Sequence, residues 1–245
     1  MEFDLRRRVA AEFIGTALLV IFGPGSVVAA LVAQEGEIDY PSVGFISLSF
    51  GIVVAAVIYG FGTVSGAHIN PAVTFALAVI KRFSWAEVAP YVLAQLAGAV
   101  GGALLVVAMF GSRAAELGLI GATTLGDGVS ISAGILAEVV GTFLLMFTIM
   151  AVAVNPRAPA GWAGLMIGLS VVGAILVMAP LTGASFNPAR TFGPYLVSGF
   201  VGAAPPWSEL VVYIIGPLVG ATVAAVVYTL VALPRAPAPN AASVD

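Results

Sequence analysis

Cysteine is absent from the chain, and histidine occurs once, as His68. The first absence excludes disulfides, thiol catalysis and cysteine-ligated metals. The second leaves little room for a histidine-based metal site. Charge is scarce as well: 9% of the 245 residues are charged, against about a quarter in a soluble globular domain. With 60% hydrophobic residues and a mean hydropathy of +1.11, that deficit excludes a soluble domain and marks an integral membrane protein. No pairing of nucleophile and base is visible, so an enzyme is not expected. Neither a cofactor, a metal nor a nucleic-acid partner is expected either.

What the chain has in abundance is long apolar runs. Six of them, roughly 9–32, 43–61, 88–110, 131–154, 161–179 and 210–231, are long enough to cross about 30 Å of hydrocarbon as helices. The first is too long for the apolar region of a cleaved signal peptide and is read as an uncleaved span. Six crossings put both ends on one side. Arg6, Arg7, Arg8, Lys81, Arg82, Arg157 and Arg235 fall on the side of the N-terminus, and Arg113 falls opposite. Basic residues collect on the cytoplasmic side, so the termini are expected there, in a cell membrane. The Pro/Ala-rich end, 234–245, reads as a flexible tail.

The chain also repeats itself. AEFIGTALLV at Ala11 returns 126 residues later as AEVVGTFLLM at Ala137, and SGAHINPA at Ser65 returns 117 residues later as TGASFNPA at Thr182. Tyr91 and Gly98 align with Tyr213 and Gly220 in the closing helices. A single channel-like domain, 1–245, is therefore expected to contain two three-helix repeats, 9–110 and 131–231. Three crossings are odd, so the second repeat enters the membrane from the opposite side, an inverted repeat. Gly98 and Gly102, Gly164 and Gly168, and Gly216 and Gly220 are small pairs that let helices pack closely.

Each repeat carries an apolar segment too short to span, 71–80 and 188–198. Each starts at an Asn-Pro-Ala triplet: Asn70, Pro71 and Ala72, then Asn187, Pro188 and Ala189. Asparagine is a preferred N-cap and proline suits the first helical position, so these are helix starts. Stranded at opposite faces, the two half-helices can only dip in and meet tip to tip. Non-helical backbone at that depth survives only when buried in protein or lining a water-filled cavity. The loops 66–70 and 183–187, with Gly66, Ala67, His68, Gly183 and Ser185, are thus expected to line a pore. If each asparagine oxygen caps its own helix, its NH₂ is free to donate into that pore.

Over nearly its whole length, from AEFIGT through SGAHINPAV and TGASFNPARTFGP to GPLVGA, the chain resembles the major intrinsic protein family, the aquaporins and aquaglyceroporins, and most of all their archaeal and bacterial members. The resemblance implies an all-α membrane protein of six transmembrane helices and two re-entrant half-helices. It implies a homotetramer in the lipid bilayer with one pore per protomer, and passive flow with no energy source. It places Arg190 in a narrow outer filter with Phe50, Ile175 and Ala184. Water-selective relatives usually have histidine where this chain has Ile175, and glycerol-conducting relatives typically have two aromatics where this chain has only Phe50. It also gives Glu12 and Glu138 the task of holding the pore loops, in preference to a proton relay.

The leading expectation is a channel for water, with glycerol and other small uncharged solutes as further cargo, that excludes ions and protons. Two alternatives stay open. One is a secondary transporter, since inverted repeats with broken helices are common among them; the other is a structural membrane protein of low permeability. His68 is placed in the inner vestibule, beside the alternative of a satisfied core histidine.

Overall fold

The computed structural model describes residues 3–233, and the expected tail at 234–245, with Arg235, lies outside them. In chain order the helices are α1 Leu5–Phe22, α2 Pro24–Ala33, α3 Tyr40–Ser65, α4 Pro71–Val79, α5 Trp85–Phe110, α6 Arg113–Gly118, α7 Ile131–Ile149, α8 Ala163–Thr182, α9 Pro188–Phe200 and α10 Leu210–Val231. Six helical stretches among the described residues are long and apolar enough to cross a membrane, the first being α1 and α2 together. The two short elements α4 and α9 are the half-helices. This is the all-helical inverted repeat expected from the sequence.

Boundaries differ from the hydropathy reading where capping, not apolarity, sets the end. Helix α1 starts four residues before the apolar run because the Asp4 side chain accepts from Arg7 N. Helix α3 starts early because Asp39 caps Ser42 N, and it ends at Gly66, whose φ of 89° stops it. Gly161, expected inside the fifth span, has a φ of +83° and lies before α8. Helix α9 runs two residues beyond the expected 198. The first span is not one helix: it breaks at Gly23, where Pro24 supplies no N–H. The fourth ends in a π turn, Met150–Val154.

Small residues bring the helices together, since lipid offers apolar side chains no reason to leave it. Gly98 and Gly102 set α5 against the α1 backbone at Phe13 and Ala17, while Gly216 and Gly220 set α10 against α7 at Ile135 and Val139. Gly51 and Gly168 join the backbones of α3 and α8, one helix from each repeat. Each half-helix packs against the last helix of the other repeat, α4 on α10 and α9 on α5. Polarity is arranged for a bilayer: Phe45, Ile52, Leu93, Val177 and Leu230 are exposed, whereas Glu12, Glu138, Gln95, Thr74 and Arg190 are buried. These five buried polar groups gather around the pore loops and the starts of the half-helices.

Candidate pore and its lining

The two pore loops share an unusual backbone. Ala67, Ile69, Ala184 and Phe186 have φ values of 47°, 43°, 53° and 56°, beside Gly66 at 89° and Gly183 at 67°. Left-handed conformations of such residues cost about 1–3 kcal/mol each and persist only where the surroundings over-determine them. Here the surroundings are two carboxylates. Glu12 Oε1 accepts from Ser65 Oγ at 2.7 Å and His68 N at 2.9 Å, and its Oε2 accepts from Ile69 N at 2.6 Å and Gln95 Nε2 at 2.8 Å. Glu138 Oε1 accepts from Thr182 Oγ1 at 2.7 Å and Ser185 N at 2.9 Å, and its Oε2 from Phe186 N at 2.7 Å. Tyr91 and Tyr213 complete each set by donating to the carbonyls of Ser65 and Thr182, both at 2.9 Å.

The loop side chains that point back into the protein meet glycine. A methyl on Gly15 would lie 2.8 Å from Ile69 Cγ2, and one on Gly141 would overlap the Phe186 ring. These glycines sit in the repeated GT pairs of α1 and α7, whose Thr16 and Thr142 hydroxyls donate to the Glu12 and Glu138 carbonyls.

At the tips, Asn70 Oδ1 accepts from Ala72 N at 2.9 Å, and Asn187 Oδ1 accepts from Ala189 N at 3.0 Å. Their amides are not wholly free, as the sequence reading had them. Asn70 Nδ2 donates to Phe186 O and Asn187 Nδ2 donates to Ile69 O, both at 2.8 Å, so each loop is stitched to the other. An NH₂ has two hydrogens. One is spent on the opposite loop because the half-helices meet closely enough to share it, and one is left for the lumen that both asparagines line.

Two cavities approach this junction. The larger, about 670 Å³, is lined by His68, Ile69, Asn70, Ser185, Phe186 and Asn187 among others. The smaller, about 250 Å³, is lined by Ile46, Thr124, Ile175 and Gly183 among others. Phe50 and Arg190 belong to both walls and form the partition between them. The Arg190 guanidinium stands over the Phe50 ring, 5.1 Å from its centroid, and Nη1 donates to Gly121 O at 2.8 Å. Of the four expected filter residues, Phe50, Ile175 and Arg190 surround this partition. Ala184 lines neither cavity: it is 1% exposed, with its N–H held by Thr182 Oγ1.

His68 lines the larger cavity, with Nδ1 at 3.1 Å from Thr74 Oγ1 and its ring edge-on to Phe83 at 4.9 Å. It is both a packed histidine and a cavity residue. Thr74 also receives Gln95 Nε2 at 3.0 Å. In the second repeat the matching Thr191 joins Ser185 Oγ at 2.6 Å and Thr123 Oγ1 at 2.9 Å.

Sequence reasoning missed Thr74, Thr191, Gln95, Gly121 and Thr123. The threonines follow each asparagine by four residues in both repeats, a signal that alignment of the repeats could have shown. Gln95 is a lone amide in an apolar span, which is also legible. Gly121 and Thr123 carry no such signal, because only the fold brings their loop beside α9.

The major intrinsic protein family model matches residues 1–228. A probable aquaporin AqpM of Archaeoglobus fulgidus is 47% identical over 246 residues, covering 95% of this chain and 99% of the relative. Aquaporin AqpM of Methanothermobacter marburgensis is 46% identical, covering 92% of this chain and 97% of its own. Among solved structures, the aquaglyceroporin from Plasmodium falciparum superposes with a TM-score of 0.83 at 23% identity, over 93% of this chain and 97% of that one, a likeness of fold. A chain with this inverted repeat and this extent of match belongs to the major intrinsic protein family.

Proposed function

We propose that this multi-pass membrane protein is a passive channel for water that also passes small uncharged solutes such as glycerol, more slowly, and excludes ions and protons. The observation that carries the reading is the meeting of the two half-helix starts. Two asparagine N–H groups and two helix N-termini, each with a partial positive charge, converge on one short stretch of lumen. An oxygen acceptor is satisfied there, whereas a cation loses hydration without gaining a carboxylate, since Glu12 and Glu138 are occupied by the loops. In this reading Asn70 and Asn187 orient the solute. Phe50, Ile175 and Arg190 select it, and the two glutamates hold the loops. The termini are cytoplasmic, the membrane is the cell membrane and the assembly is a homotetramer; the distribution of arginine and lysine supports the first, and family membership the last.

Osmotic shrinkage of proteoliposomes, measured in parallel with water, glycerol and urea, tests it, with proton leak followed in the same vesicles. Fast water flux, slower glycerol flux and no leak are expected. Ile175→His should lower glycerol flux much more than water flux, because it adds a donor and bulk at an apolar wall. Equal effects on both solutes would remove Ile175 from the filter. Flux that requires an ion gradient would make the protein a transporter.

A further inference from the structure

The break between α1 and α2 lies beside the partition described above. Gly23 has φ −76° and ψ −84°, outside the helical region, and Pro24 opens α2. Hydroxyls brace the break: Ser49 Oγ donates to Phe22 O at 2.6 Å, and Ser26 Oγ donates at 2.6 Å to Gly23 O, which also accepts from Ser26 N at 2.9 Å. Ser49 immediately precedes Phe50 on α3, so its bond clips the Phe50 backbone to the broken helix. The Phe50 ring then occupies the space that a side chain at residue 23 would fill. A methyl there would lie 2.7 Å from Phe50 Cζ, nearer still to Cε1, and 2.6 Å from Leu19 O. Over the ring stands the Arg190 guanidinium, 5.1 Å from the centroid.

We propose that Gly23 and Ser49 form a seat that fixes the Phe50 ring against Arg190, and that residue 23 thereby sets the bore of the channel without touching solute. Gly23 is a positioning residue. The proposal rests on the reading of Phe50 and Arg190 as the narrow part of the solute path. A β-carbon at 23 must drive the Cε1–Cζ edge away from α1 and into the partition. Glycine is the residue that leaves the edge where it is.

The experiment is a double-mutant cycle in proteoliposomes, with water and glycerol permeability normalised to reconstituted protein, for Gly23→Ala, Phe50→Ala and the pair. Gly23→Ala should lower the glycerol-to-water ratio about fivefold, and should leave the ratio unchanged when Phe50 is already alanine. The contact with Leu19 O should lower thermal stability in both backgrounds, which the ratio does not register. Ser49→Ala removes only the clip and keeps the fold testable if Gly23→Ala does not assemble. It should raise the ratio about twofold, again only with Phe50 present. An unchanged ratio, or the same change with Phe50 absent, overturns the seat. If wild-type vesicles pass water but no glycerol, the glycerol part of the functional reading fails instead. The seat is then decided on water alone, where Gly23→Ala should cost about twofold and Phe50→Ala should abolish that cost. Absence of water flux in the wild type overturns both.

Discussion

The two repeats hold equivalent loops by unequal means. In the first, Glu12 takes four donors, the fourth from Gln95 on α5, and Gln95 also reaches Thr74. In the second, Glu138 takes three, and Pro217 stands on α10 where the alignment of Tyr91 with Tyr213 would put the amide. Thr191 is instead completed by Thr123, from the connection between the repeats, whose Gly121 carbonyl also holds Arg190. The first repeat is thus braced from within its own bundle. The second is braced by a connection that ties support of the loop to placement of the arginine. What is common to both, the carboxylate and the tyrosine, serves the backbone geometry; what differs serves the side of the pore that carries the charge.

The largest effects should come from the carboxylates. Glu12→Ala strands four buried donors and Glu138→Ala three, at about 1–3 kcal/mol for each, so both should abolish the folded channel, and Glu12→Ala more completely. Yield of monodisperse protein and its thermal midpoint in detergent measure this. Equal losses would mean that the Gln95 bond contributes nothing. Gln95→Leu reduces the first repeat to the donor count of the second. It should lower stability by about 1–3 kcal/mol while preserving water flux, and loss of the channel would show that the two braces are not interchangeable.

Thr123→Val should cost less, about 1 kcal/mol for one neutral hydrogen bond. Thr191→Val removes that bond and the one to Ser185, so the double variant should cost little more than Thr191→Val alone; full additivity would separate the hydroxyls. Smallest is an acid effect confined to the first repeat. Helix α3 is capped by Asp39, whose carboxyl is held below its usual range by the Ser42 hydroxyl and N–H, whereas α8 has no side-chain cap. Because the folded pKa is the lower one, the stabilisation is fully present above the ordinary carboxylate pKa of about 4 and is lost as pH falls from there through the lower folded pKa. Asp39→Asn should remove that dependence from the thermal midpoint.

Much of the fold was legible because its signals are local or periodic. Apolar length marks a span, Asn-Pro marks a helix start, and the repeated AEF/AEV and NPA segments set two halves in register. Charge in an apolar span picked out Glu12, Glu138 and Arg190, since burying it is costly without partners. The helix ends moved because a cap such as Asp4 or Asp39 is a hydrogen bond, invisible to hydropathy. Ala184 was placed in the filter by motif position, which does not tell whether a methyl reaches the lumen.

By itself, then, the sequence determined that this is a six-span inverted repeat with two half-helices and buried carboxylates, because spans, caps and repeats are written in neighbouring residues. Only the tertiary structure decided how the tips are used. The bonds from Asn70 to Phe186 and from Asn187 to Ile69 join residues 116 and 118 positions apart, and Arg190 is held by a carbonyl 69 positions away. Likewise the break at Gly23 and the ring of Phe50 carry no mutual signal along the chain, and become one feature when α1 packs on α3. Such contacts depend on distances of a few tenths of an ångström between packed helices, and no local preference of the chain encodes them.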